Sequence, residues 1–278
     1  MGLRVNTNLA SMTAQRNLSN VSMRLEGNYR RLASGLRIQS ASDDAAGLGI
    51  SERMRSRIRS LSQAGRNAQD GISLVQTAEG ALAEVNNNLN RMRELAIQSA
   101  NGTLTSDDRA ALNVEFQALI SEIDRIAATT EFNGIDLLDA DTGNINMQVG
   151  VDDSSTFDVI QVDLDSATIT SLQVSTIAVS GTAADSALTA LTFIDTAINS
   201  VNTARGKLGS VQNRLDSAFR SIGNVRENLS AAESRIRDVD IAAETADLTR
   251  NGIMQQAAVS VLSQANAQPQ IALSLLQG

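Results

Sequence analysis

Apolar residues recur at spacings of three and four over most of this chain, and the period shortens to two only near its middle. The longest stripe is Leu188, Leu191, Ile194, Ile198, Val201, Ala204, Leu208, Val211, Leu215, Ala218, Ile222, Val225, Leu229, Ala232, Ile236 and Val239. Side chains at this spacing share one face of a helix, and the heptad-like repeat predicts helix packed on helix. At about 1.5 Å per residue the helix would span roughly 75–80 Å, so it needs partners along its length. A second stripe, Ile72, Val75, Ala78, Leu82, Val85, Leu89, Met92 and Ala96, stops at Asn101-Gly102-Thr103, a glycine-containing stop signal. Ser106-Asp107-Asp108 reads as the cap of a further helix carrying Leu112, Phe116, Leu119, Ile123 and Ile126. Helices are predicted over 44–100, 105–129 and 188–239. Ala14, Leu18, Val21, Leu25 and Leu32 predict another within the first 36 residues.

Between 130 and 180 the pattern changes. Phe132-Asn133-Gly134 is a turn signal. Ile145, Met147, Val149 and Val151 alternate with polar residues, Val159 to Leu164 do much the same, and Val174, Ile177 and Val179 follow among Ser and Thr. These predict short strands or hairpins, a small β element on an otherwise helical bundle.

Composition narrows the chemistry. The 278 residues suffice for one large domain or two modest ones. Aromatic residues make up 2%, so the core must be built from Ala, Leu, Ile and Val, a palette suited to long packed helices. With no Cys and no His, there is no disulfide, no thiolate or imidazole ligand for a metal, and no His-based triad. The expectation is a protein that is not an enzyme and carries no cofactor and no metal. No run of about twenty apolar residues is present, so no membrane insertion is expected. The segment MGLRVNTNLASM lacks the apolar core of a signal peptide and a hydroxyl residue at the sixth position for myristoylation. Export, if it occurs, is expected to use no cleaved signal peptide.

Charge is unevenly spread. Residues 1–36 hold five Arg and one Glu, whereas the interval between Arg125 and Arg205 holds eleven acids and no base. The acidic interval reads as a solvated surface. The run Arg53, Arg55, Arg57, Arg59 and Arg66 has no aromatic residue beside it for stacking, and the chain is acidic at −8 overall. Subunit contacts or a solvated face are therefore expected there, and no nucleic acid.

Residues 251–278 contain no charged side chain and nine large apolar ones. Such a tail has three possible destinations: its own domain, a membrane surface, or other copies of the chain. A membrane-surface helix wants Lys or Arg on its polar face, and this tail offers Gln, Asn and Ser. Uncharged polar residues do not repel when identical copies crowd together. The tail therefore reads as a polymerisation element, disordered alone and ordered among copies.

Four motifs sharpen this reading: VNTNLASMTAQRNL at 5–18, RLASGLRIQSASDDAAGLGI at 31–50, RMRELAIQSANGT at 91–103, and RIRDVDIAAETADLTRNGIMQQAAVSVLSQANAQPQIALSLL at 235–276. In this order the chain closely resembles bacterial flagellin over roughly 1–150 and 188–278. Ala33, Gln39 and Ser42 stand where many flagellins have Ser, Asn and Lys. The short middle resembles a flagellin without outer variable domains.

The resemblance implies a mainly α fold: a long helical coiled-coil or bundle rod with a small β-hairpin, plus paired N- and C-terminal helices. Residues 1–44 and 237–278 would form the inner core domain, 45–142 and 181–236 the rod, and 143–180 the hairpin or short variable region. It implies a structural subunit that self-assembles helically into the flagellar filament for motility. A hook–filament junction protein shares both terminal motifs, and a non-polymerising helical adaptor or adhesin is the alternative from another class. Filament-core contacts would fall on Leu18, Val21, Leu25 and Leu32 and on Ile253, Val261, Leu262, Leu273, Leu275 and Leu276. Implied partners are further copies of the chain, the flagellar type III export apparatus, a flagellin chaperone at the C-terminal segment, and hook-associated and cap proteins; the destination is the extracellular filament. Flagellins seen by a Toll-like receptor use an exposed Arg and Leu in the RMREL-type motif and a Glu on the next helix, which here are Arg91, Leu95 and Glu115. The zinc-protease motif of some flagellins is excluded by the lack of His, and Ser and Thr at 166–192 are candidate O-linked sugar sites.

Overall fold

The computed structural model describes residues 7–139, 143–152, 154, 157–180 and 185–277, with side chains described as far as 268. Its helices are α1 (Leu9–Ser34), α2 (Ala45–Ser99), α3 (Ser106–Thr129), α4 (Asp185–Arg237) and α5 (Ile241–Gln277). Four short strands form two antiparallel pairs: β1 (Glu131–Phe132) with β2 (Ile135–Asp136), and β3 (Ile145–Gln148) with β4 (Val159–Val162). The chain divides into two compact units, 1–56 with 228–278, and 57–227. Both divisions lie further inside α2 and α4 than the sequence placed them. The physical reason is that the first turns of α2 and the last turns of α4 pack with the linker around Ile38, which is buried, and Glu52 reaches Arg237 at 2.8 Å.

The helix ends are set by side chains that satisfy free backbone groups. Asn8 accepts from Ser11 N, and α1 closes on Gly35, whose left-handed φ of 71° suits glycine. Asp44 accepts from Gly47 N at 2.9 Å to start α2, and Asp240 accepts from Ala242 N to start α5. The cap of α3 is Thr105 rather than Ser106: Thr105 and Asp108 form a reciprocal capping box, with Ser106 and Asp107 in the first turn. Arg109 donates to the carbonyls of Ser99 and Asn101, so α3 caps the end of α2.

In the 57–227 unit, α4 runs antiparallel to α2. Gly65 approaches Ile222, Gly71 approaches Leu215, Glu79 pairs with Arg205, and Arg93 pairs with Asp195 at 2.7 Å. The core is the predicted stripe of α2, Ile72 to Ala96, extended back by Leu61, Ala64 and Ala68, facing Ile194 to Ile222 of α4 and Phe116, Ile120 and Ile123 of α3. The α4 stripe departs from expectation at both ends. Leu188 is 53% exposed while Ala187 and Ala190 are buried, and burial ends at Ile222, with Val225 44% exposed.

Asn133 and Gly134 take left-handed φ values of 52° and 76°, which closes the β1–β2 turn that the Asn-Gly pair predicts. In the longer hairpin Met147 lies against Gly71 of α2, and Asn67 donates to the Gln148 carbonyl at 3.0 Å. The third predicted strand does not form. Val174, Ile177 and Val179 are buried, but their segment is turns and irregular backbone. Side chains occupy the place of a partner strand: Ser99 Oγ donates to the Val179 carbonyl, Val179 N donates to Asn113, and Gln117 donates to the Ile177 carbonyl. Backbone groups satisfied in this way need no ladder.

Candidate functional site

Within the unit of 1–56 and 228–278, α1 and α5 pack side by side. Their direction follows from the bonds between them. Asn8 Nδ2 donates to the Ala265 carbonyl at 2.7 Å and Ser11 to Asn266 at 2.6 Å, while Asn28, much later in α1, meets Glu244 and Asn251 early in α5. The pair is antiparallel. Its linkers are stitched together: Arg37 N donates to the Arg237 carbonyl at 2.6 Å, and Val239 N to that of Gly35 at 3.0 Å.

Leu18, Val21, Leu25 and Leu32 are half-buried, and Ala14 is buried. The stripe holds the pair together on one side only. On α5, Ile253 is 63% exposed and Val261 56%, with Val259 also exposed and Leu262 half-buried. Leu9, Met12 and Met23 of α1 and Ile241 of α5 are exposed as well. The side chains of Leu273, Leu275 and Leu276 lie outside the described residues. The sequence predicts a tail disordered alone; here α5 is helical to Gln277, and α1 packs beside it as far as Ala265 and Asn266.

A polar cluster lies inside this pair. Asn28, Glu244 and Asn251 are all buried. Asn28 Nδ2 donates to Glu244 at 2.6 Å, Asn251 Nδ2 donates to Asn28 Oδ1 at 2.8 Å, and the Arg31 guanidinium stands 3.7 Å from Glu244. A buried carboxylate is tolerable only when hydrogen-bonded and faced by positive charge. The sequence reading missed this cluster. Its signal was Asn28, a polar residue three positions after Leu25 and four before Leu32, where the stripe calls for an apolar one.

The linker before α2 is rigidly made. Asp43 accepts from the backbone N–H groups of Ser40 and Gln39 and from the Ser40 hydroxyl, which holds its carboxyl below the ordinary value of 3.8. A side chain at Gly47 would collide with the Asp44 carboxylate and approach Ile38 Cδ1 to 2.8 Å, so this position needs glycine.

The RMREL motif lies in the other unit. Arg91 donates to Glu115 at 2.8 Å and to Glu94 at 2.9 Å, and these carboxylates raise its pKa, Glu94 most. Arg91 and Glu115 are both exposed and meet across α2 and α3. Leu95 does not join them. It is fully buried, one step along the stripe from Met92, and the expectation of an exposed Leu95 is corrected. The physical reason is helical phase: four residues are somewhat more than one turn, enough to carry Leu95 from the rim to the core. Among the described residues there is no group of acidic side chains placed to hold a metal ion, and no helix long and apolar enough to cross a membrane.

Comparison with known proteins matches residues 5–142 to the bacterial flagellin N-terminal helical region and residues 191–276 to the bacterial flagellin C-terminal helical region. Flagellin of Halalkalibacterium halodurans is 47% identical over 273 residues, covering 98% of this chain and 99% of that protein. The flagellar filament 33 kDa core protein of Treponema phagedenis is 41% identical over 98% of this chain and 99% of its own length. Among solved structures, Bacillus cereus flagellin is 35% identical with a TM-score of 0.50, covering 60% of this chain and 94% of that one.

Proposed function

This chain belongs to the bacterial flagellin family, as a short form and a structural subunit of the flagellar filament, and on that premise we propose which surfaces build the polymer. Helical self-assembly buries the outer side of the α1/α5 pair against neighbouring copies. The observation that carries this is the exposure of Ile253, Val259 and Val261 on a helix whose opposite side is already covered by α1. Leu18, Val21, Leu25 and Leu32 keep the pair together; Ile253, Val261 and Leu262 face other copies. The uncharged Gln, Asn and Ser between them allow identical helices to approach without repulsion.

Family membership supports the rest of the route. The chain leaves the cell through the flagellar type III export apparatus, a cytoplasmic chaperone holds the C-terminal segment beforehand, and hook-associated and cap proteins bound the filament outside. Recognition by a Toll-like flagellin receptor rests on the exposed Arg91–Glu115 pair, without Leu95. A receptor reporter that responds equally to wild type and to an Arg91→Asp, Glu115→Ala variant would remove that surface.

The deciding experiment is electron microscopy of purified monomer at high concentration, with ammonium sulfate, which strengthens effective apolar burial, and short filament seeds. Long uniform tubes are expected from the full chain and none after deletion of 251–278. Monomers alone from the full chain would overturn the assembly reading.

A further inference from the structure

Asparagine is followed by glycine three times in this chain, at Asn101-Gly102, Asn133-Gly134 and Asn251-Gly252. Such a pair carries latent chemistry. Glycine has no Cβ to shield its backbone nitrogen or to stiffen the chain around it, and that nitrogen can attack the amide carbon of the asparagine side chain. Ring closure requires rotation about the Cα–C bond of the asparagine. The fold treats the three pairs differently in this respect.

Asn251 is buried, and its amide donates to Asn28 at 2.8 Å. It lies with Gly252 inside α5, so rotation there breaks the helix. Asn133 is exposed, but it and Gly134 form a two-residue turn at positive φ, clamped by the pairing of Phe132 with Ile135 and of Glu131 with Asp136. Asn101 is also exposed, and it stands in the connection 100–105, outside both α2 and α3. Its backbone is held by bonds at the long end of the range: Asn101 N donates to the Gln98 carbonyl at 3.2 Å, and Leu104 N to the Asn101 carbonyl at 3.3 Å. Thr103 N donates to Asn101 Oδ1 at 3.2 Å, which draws electron density from the carbonyl that the glycine nitrogen attacks. From the other side, the buried Arg109 guanidinium donates to the main-chain carbonyl of Asn101 at 3.2 Å.

We propose that Asn101 is a site of spontaneous backbone modification and that Arg109 selects its product. Gly102 N bonds to Asn101 Cγ and gives its proton to solvent; the side-chain nitrogen leaves as ammonia, and a cyclic imide remains. Water then adds to one carbonyl of the imide, and the C–N bond at that carbonyl breaks. Attack at the side-chain carbonyl gives aspartate in the ordinary chain. Attack at the main-chain carbonyl gives isoaspartate: the chain now runs through the side chain, and the former main-chain carbonyl becomes a free carboxylate. Arg109 already points at that oxygen. Its charge activates this carbonyl toward water and pairs with the carboxylate that forms, so isoaspartate is favoured. The outcome is a permanent negative charge and an added backbone carbon between the end of α2 and the cap of α3.

The test is incubation of the full chain in mildly alkaline buffer, folded and in urea, followed by tryptic mass spectrometry. Cleavage after Arg93, Arg109, Arg125, Arg205 and Arg250 puts the three asparagines on different peptides. Electron-transfer fragmentation then separates isoaspartate from aspartate. In the folded chain Asn101 is expected to convert at least about tenfold faster than Asn133 or Asn251, and the rates should converge in urea. The share of isoaspartate at 101 should be higher in the folded chain than in urea. Nothing lies within 4 Å of a Cβ built at Gly102, so Gly102→Ala should slow conversion severalfold in a chain that melts as wild type. An unreactive Asn101, or an Asn133 or Asn251 that converts as fast in the folded chain, overturns the proposed site. An isoaspartate share equal in the two conditions overturns the role of Arg109.

Discussion

The side-chain amide of Asn28 donates a 2.6 Å hydrogen bond to the carboxylate of Glu244, joining the two ends of the chain inside the terminal helix pair. Asn251 completes the chain of bonds from α5. Removing the middle member leaves two buried groups short of a partner. Asn28→Ala is therefore expected to cost about 1–3 kcal/mol in the stability of this unit. Thermal unfolding, followed with limited proteolysis of α1, measures it. Replacing Asn28, Glu244 and Asn251 together by Leu should be far less costly, while hydrogen exchange should then report more than one pairing register.

Ile253 and Val261 separate folding from assembly. Both are more than half exposed in the single chain, so Ile253→Asp and Val261→Asp should change its thermal stability by no more than about 0.5 kcal/mol. In a polymer the same changes place unpaired charges in covered apolar surface. Filament formation by electron microscopy should be lost while the monomer melts normally. A variant that polymerises as wild type would take these residues out of the interface.

Leu95 and Arg91 should part in the opposite way. Leu95 is fully buried, so Leu95→Ala is expected to cost about 2–5 kcal/mol through the cavity it leaves. Arg91 is about half exposed, and solvent screening leaves its pairs with Glu94 and Glu115 little weight in stability. Arg91→Asp should leave the melting temperature nearly unchanged. Equal losses of stability for the two variants would show that the Arg91 cluster is structural.

The start of α3 should respond to acid. Asp108 accepts from Thr105 N and from the Thr105 hydroxyl, the first contributing most, and these bonds hold its carboxyl below the ordinary value of 3.8. A lowered folded pKa means that this stabilisation is fully present above 3.8 and is lost as pH falls through the lower folded value. Amide exchange in the first turn of α3 should therefore rise in acid. Asp108→Asn, which still accepts a hydrogen bond but cannot titrate, should remove that rise.

Helix positions and the core faces of α2 and α3 were legible in the sequence because they depend on local spacing and on caps a few residues away. The Asn133-Gly134 turn was legible for the same reason, since the backbone at positive φ strongly restricts residue type. The long α4 stripe was read correctly from Ile194 to Ile222; Leu188 and Val225 fit the period but are exposed. The predicted strand around Val174–Val179 failed because its backbone partners, Ser99, Asn113 and Gln117, come from helices distant in sequence.

By itself, the sequence determined the periods, the caps, the exclusion of His and Cys chemistry, and an uncharged apolar end that needs covering. Only the tertiary structure decided which side of that end is covered within the chain, that Leu95 is core while Arg91 is surface, and that Asn28, Glu244 and Asn251 meet. The reason is that period and capping are set over a few residues of chain. Burial and hydrogen-bond partnership depend on which distant face arrives opposite, and nothing in the local pattern specifies that.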